Sequence, residues 1–184
     1  MGWSEPTADE VEKAIVELLE QESVGALATV SPTGAPLAAA MHFAADGLKV
    51  YLHTYTYTRK YAAVLADPRV SYTLSYLPPD GFAGRLLTRG VQVSGTAAVV
   101  TGQDEIEHAI ELSHQQFDWL KETSIYDNFR RAGVAHRQVF IRVDPVEALW
   151  TDNRVRMLWR KIVKFTADGT HVASLEPYEN AAAR

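Results

Sequence analysis

Three consecutive residues, Thr58, Arg59 and Lys60, stand where a short helix is expected to begin. The peptide dipoles of a helix point their positive end at that turn, so each cation there is unfavourable by roughly 0.3–1 kcal/mol. Two readings remain open on spacing alone. Either both side chains bend into water, as most surface cations do, or the helix amides, the Thr58 hydroxyl and the two cations converge on one bound dianion such as a phosphate. Just upstream, Thr54, Thr56 and Thr58 alternate with Tyr55 and Tyr57, which places three hydroxyls on one side of an extended link. Threonine and tyrosine also favour strands by shape, so the alternation is not by itself a donor set.

The elements that must carry these residues follow from the pattern around them. Thr7-Ala8-Asp9-Glu10 has the form of a capping box, and Val11, Ala14, Ile15, Leu18 and Leu19 recur at helical spacing, which predicts a leading helix over 7–21. From Val24 the period changes. VGALATVS, LAAAMHFAAD and LKVYLH read as three strands divided by PTGAP and Asp46-Gly47, and such short links make neighbours antiparallel. The helix opening at Thr58 runs to Ala66 and stops at Asp67-Pro68, because a residue before proline is driven out of the helical region.

RVSYTLSYL gives a further strand, and PPDGFAG is a loop. Leu86 to Thr101 is extended, with Gly90 and Gly95 marking bulges or close approaches. Gly102 to about Ala132 carries Ile106, Ile110, Leu112, Phe117 and Leu120 at spacings that suit one or two amphipathic surface helices, closed by Gly133. HRQVFIRVDP, VEALW and VRMLWRKIVKFTADG supply two final strands, and the last eight residues, 177–184, read as a disordered tail. The expected architecture is mainly β (α+β): a split β-barrel of about six to seven antiparallel strands with peripheral helices, closed or nearly so because closure removes exposed edges.

With 184 residues, 47% of them hydrophobic and 22% charged, the chain is expected to form a single domain, with the barrel over 24–166. There is no run of about 18 apolar residues and no secretory signal pattern, so a cytoplasmic protein without a membrane segment is expected. The absence of cysteine excludes disulfides and thiolate metal sites. A net charge of −5 argues against nucleic acid as a partner, since binders of the phosphate backbone carry a basic excess. The six histidines form no ligand motif: His108 and His114 are six apart and do not share a helix face, and His136 reads as a turn or surface residue. No metal is expected. A nucleophile elbow, a P-loop and a dinucleotide fingerprint are all missing.

From Val24 to about Phe165 the chain resembles the split-barrel flavoproteins similar to pyridoxamine 5′-phosphate oxidase. The resemblance is densest at His53-Thr54, Thr58-Arg59-Lys60 and Asp67-Pro68-Arg69-Val70-Ser71, and it extends to ALATVSPTGAPLAAAMHF and RGVQVSGTA. It implies an FMN site at the interface of a homodimer. Carried over residue by residue, Thr54, Thr58, Arg59 and Lys60 meet the phosphate and ribityl chain, while Met41, His42 and Phe43 lie along the isoalloxazine, chiefly through backbone groups. From the partner subunit the family uses a polar residue and a tryptophan. Gln92 and Trp150 are the nearest counterparts here, with Gln92 two positions from the usual glutamine, where this chain has Gly90.

The pattern also departs from the namesake enzymes. Their Arg-x-His-x-Arg element has no equal in TDNRVRMLWRK, where Arg154 and Arg156 enclose no histidine, so pyridoxamine phosphate itself is not the expected substrate. Arg154, Arg156, Arg160 and Lys161 form either a basic rim or an exposed face of alternating charge. A related branch binds the deazaflavin coenzyme F-420 at the same cationic segment, and its polyglutamate tail would favour further cations such as Arg85, Arg89 and the 154–161 group. A third branch binds haem through a histidine. The expected function is an FMN-dependent oxidoreductase acting on an unknown small molecule with no side chain named as catalytic, the alternatives being a deazaflavin-dependent reductase and a flavin-binding or sensor protein without turnover.

Overall fold

The computed structural model describes residues 4–130 and 137–178. Gly133, His136 and residues 179–184 therefore lie outside the described residues, together with the expectations that fall on them.

The leading helix α1 spans Ala8–Gln21 and is started by the reciprocal bonds its sequence calls for: Glu10 N–H donates to Thr7 Oγ1 and Thr7 N–H to Glu10 Oε2. Its buried face, Val11, Ile15, Leu18 and Leu19, packs on the barrel interior. Strands β1 (Val24–Val30), β2 (Pro36–His42), β3 (Ala44–Asp46) and β4 (Lys49–Tyr55) follow. Helix α2 (Arg59–Ala66) leads to β5 (Arg69–Tyr76) and β6 (Arg89–Val99), and α3 (Gln103–Gln116) and α4 (Asp127–Arg130) lie between β6 and β7 (Gln138–Asp152). The hairpin partners β8 (Arg160–Phe165) and β9 (Val172–Pro177) end the sheet.

All pairings are antiparallel, in the order β2-β1-β5-β6-β7-β4-β3, with β8 and β9 continuing from β7. The sheet curls into a split barrel. Nine strands are described where about seven were expected, for two reasons. LAAAMHFAAD divides at Phe43, since β2 pairs with β1 whereas β3 pairs with β4, so one apolar run serves two parts of the barrel. Pro177 and the residues before it, counted with the tail or left unassigned in the sequence, pair with β8 as β9.

A bulge stands where glycine suggested one. The β6–β7 register shifts between Ser94 and Gly95, and a Cβ at Gly95 would sit 2.5 Å from the Asp144 carbonyl oxygen, a separation only glycine avoids.

Two apolar clusters share the sheet. Leu27, Phe43, Leu52, Tyr72, Val91, Trp150 and Trp159 fill the barrel under α1. Tyr51, Ile110, Phe117, Leu120, Tyr126 and Phe140 form a second cluster beneath α3. Strand β4 feeds both, with Val50 and Leu52 on one face and Tyr51 on the other, which is why LKVYLH lacks polar alternation. Helix α3 adds Ala109 and Ile110 to this cluster, and a fully buried large apolar side chain such as Ile110 contributes about 1.5–3 kcal/mol. The outer edge of that second cluster bounds the cavity described next.

Candidate functional site

Helix α2 begins as its sequence requires. Thr58 is the N-cap: its Oγ1 accepts from Tyr61 N–H at 3.4 Å and donates to the Tyr55 carbonyl at 2.8 Å. Thr54, 3% exposed on β4, stands behind it with its hydroxyl 3.2 Å from that of Thr58. Arg59 and Lys60 occupy the first turn, which contains no acidic residue, and neither makes an ion pair among the described residues. The fixed positive charge of the helix start and its orphan first-turn amides thus coincide with two cations that have no ion pair among the described residues.

The start of α2 borders a cavity of about 340 Å³. Thr54, Thr58 and Lys60 line it. Its lining also includes Tyr51, His53, Phe117, Trp119 and Tyr126, with Met41 and His42 of β2. A second, smaller hollow of about 250 Å³ is bounded by Leu37, Ala38 and Ala39 of β2 and again by Thr58, Arg59 and Lys60. Thr58 and Lys60 therefore line both openings, and Arg59 lines the second alone.

The imidazoles differ in setting. His42 is exposed at the cavity rim, its ring 5.3 Å from Phe117 and 5.7 Å from Trp119. His53 lies among Tyr55, Tyr126, Phe129 and Phe140, with ring centroids 5.3–5.9 Å away, and its Nε2 is buried without a hydrogen-bond partner among the described residues. Burial pushes its pKa down to about 4, so the ring is neutral near pH 7. Tyr51, in the same lining, is driven up to about 12, by burial first and then by the adjacent Glu105 carboxylate that accepts its hydrogen bond.

Of the residues expected at the site, Met41, His42, Thr54, Thr58 and Lys60 line one cavity and Arg59 the adjoining hollow. Phe43 has no exposed surface and packs on Tyr72, so its side chain belongs to the core. Gln92 is exposed on β6, in register with Thr73, Ala26 and Ala40 across four strands. Trp150 is 0% exposed inside its own barrel, and as placed it has no surface to offer a second protomer. Sequence reasoning missed Tyr51, Phe117, Trp119 and Tyr126 as cavity walls. The available signal was the aromatic density of 117–126, which was read as the apolar side of surface helices.

The second cation group is engaged. Arg154 forms a two-pronged pair with Asp152, at 2.7 and 3.0 Å, and reaches Glu17 at 3.6 Å. Lys161 binds Glu5 at 2.6 Å, and Arg160 lies over the Tyr178 ring. Arg89 is buried between Glu17 and Gln21. Among the described residues no cluster of three or more metal-ligating side chains occurs, and no helix is long and apolar enough to cross a membrane.

Comparison with known proteins agrees with this frame. Among solved structures, a heme binding protein from Mycobacterium smegmatis aligns with TM-score 0.66 and 18% identity over 91% of this chain, which spans 61% of that protein. A conserved hypothetical protein from Mycobacterium tuberculosis aligns at 0.63 and 23% over 83% of this chain and 92% of its own. A FAD-binding protein from Mesorhizobium loti aligns at 0.55 and 20% over 74% and 90%. No curated protein matches the sequence. Residues 11–151, well over half of the chain, match the family model described as pyridoxamine 5′-phosphate oxidase, and the chain belongs to that family.

Proposed function

We propose that this protein binds FMN with its phosphate at the start of α2 and serves as an oxidoreductase for a small molecule other than pyridoxamine phosphate. The observation that carries the reading is the pair Arg59 and Lys60, without ion-pair partners among the described residues, at the positive end of a helix that borders a cavity. Those residues fit a dianion: their side chains and first-turn amides would hold the phosphate, with Thr54 and Thr58 fixing the turn. The side of the cavity formed by Met41 and His42, and the backbone at Phe43, would hold the ring system. When bound, the flavin supplies two-electron chemistry, while the chain contributes position, an apolar wall and exclusion of water.

The cofactor site is proposed to lie at a homodimer interface. Ala26 and Ala28 of β1 and Ala38 and Ala40 of β2 pair across one exposed, uncharged face, and Gln92 sits in the same row. An isologous dimer through that face would bury it and bring Gln92 to the partner's cofactor; sedimentation tests this. The deazaflavin alternative asks for free cations around the groove, and Arg154, Lys161 and Arg160 are engaged with carboxylates or with Tyr178. A flavin-binding protein without turnover shares every feature of the site, so only reactivity separates it from an enzyme.

The deciding experiment is the absorbance spectrum and mass of the small molecule that co-purifies. FMN that bleaches with NADPH or NADH and recovers in air supports the enzyme. Bound FMN inert to reductants supports the non-catalytic reading. Haem or coenzyme F-420 in its place overturns the assignment.

A further inference from the structure

The two hollows at the start of α2 share part of their lining. Residues 40–42 of β2 line the larger one and residues 37–39 the smaller, while Thr58 and Lys60 belong to both. The two spaces therefore follow one another along a single extended strand, with one helix start common to them. Leu27 and Thr29 of β1 and Leu37, Ala38 and Ala39 of β2 give the smaller hollow a largely apolar lining, and its only charged side chains among the described residues are Arg59 and Lys60. At about 250 Å³ it has room for one flat ring system, not for a whole cofactor. FMN has one ring system and one phosphate, so with its rings in the larger cavity it leaves the smaller hollow without an occupant.

We propose that the smaller hollow is a subsite for the second ring system of a dinucleotide, so that the protein binds FAD more tightly than FMN: flavin in the larger cavity, the linked phosphates at Thr58–Lys60, adenine in the hollow. This rests on the flavin phosphate lying at the start of α2 and extends that site from a mononucleotide to a dinucleotide. Arg59 borders only the smaller hollow and Lys60 borders both, a division that suits two linked phosphates with one charge-assisted partner for each. Adenine is flat and uncharged near neutral pH, and covering its faces with Leu27, Leu37 and Ala39 removes apolar surface from water. An acidic group in that lining would oppose the phosphates, and among the described residues it has none.

The test is a pair of dissociation constants, for FMN and for FAD, measured by fluorescence titration on the full chain. Wild type should bind FAD at least about tenfold more tightly. Ala39 borders the smaller hollow and not the larger cavity, so Ala39→Leu should cut that advantage to less than about threefold while FMN affinity changes less than about threefold. Equal affinities in the wild type, or an advantage that survives the substitution, overturns the proposal.

A second measurement needs no variant. In the wild type carrying FAD, the adenine H2 and H8 protons should show nuclear Overhauser contacts to the methyl protons of Leu27 and Leu37, and adenine protons without those contacts overturn the proposal. The two ideas are separable by outcome. FMN bound with no advantage for FAD removes the subsite and leaves the flavin reading standing, whereas a protein that binds neither flavin removes the flavin reading and the subsite with it.

Discussion

Two cation groups in this chain look alike in one dimension and differ in three. Arg59 and Lys60 start α2 with no acidic residue in that turn and no ion pair among the described residues. In the 154–161 group, Arg154 and Lys161 close on carboxylates of the chain itself: Asp152, which is nearly buried, Glu17 and Glu5. Positive charge in a sequence is therefore not a ligand signal until its neutraliser is known. The second group ties the β7–β8 hairpin to α1 and the residues before it, and the first has no such tie among the described residues.

The strongest way to break this contrast is to remove the first group. Arg59→Ala combined with Lys60→Ala should weaken FMN binding by several kcal/mol, at roughly 1.5–3 per charged hydrogen bond, which is at least a hundredfold in dissociation constant. Thermal stability of the cofactor-free protein should stay the same or rise, by up to about 2 kcal/mol, because the positive end of the helix disfavours both cations and neither makes an ion pair among the described residues. Titration calorimetry and a melting curve check both halves, and unaltered affinity would dissolve the distinction.

Arg154→Ala should do the opposite. It leaves the Asp152 carboxylate, 3% exposed, without its two-pronged partner and should lower stability by about 1–3 kcal/mol, discounted because Arg154 itself is about a third exposed. FMN affinity should stay the same. A denaturant titration reads the first effect, and a loss of cofactor binding without loss of stability would reassign this group to the ligand.

Lys161→Ala sharpens the contrast with a smaller effect and a pH signature. The hydrogen bond from Lys161 holds the Glu5 carboxyl below its ordinary 4.5. A folded value below the unfolded one means that the stabilisation is present above about pH 4.5 and is lost as pH falls through the folded value. The difference between wild type and variant should be under about 1 kcal/mol near pH 7, as for other exposed pairs, and should shrink to nothing in more acidic solution. A difference that persists there would mean that Lys161 stabilises by packing instead.

How far the sequence reached depended on whether a signal was local. The start and stop of α2 were legible because Thr58 and Asp67-Pro68 act on their immediate neighbours, and the α1 capping box for the same reason. Gly95 announced its bulge because only one residue type fits there. The division of β2 from β3 was not legible, since alternation records a face and not the strand that will lie beside it. The cationic part of the site was visible for the local reason again, as the awkward placement of Arg59 and Lys60. Its aromatic part was not: the isolation of His53 depends on Tyr126, Phe129 and Phe140, more than seventy residues away in the chain, folding over β4.

The hydroxyls behind the α2 turn carry a last implication. Thr58 gives its proton to the Tyr55 carbonyl, so in the contact between the two threonines Thr54 must be the giver. Neither hydroxyl has a proton left for an incoming anion, which would meet amide hydrogens and cationic side chains instead. The backbone of the turn is thus set before any cargo arrives, so little ordering entropy would be charged to the proposed binding step, and a cofactor held there would leave and return to an unaltered cradle.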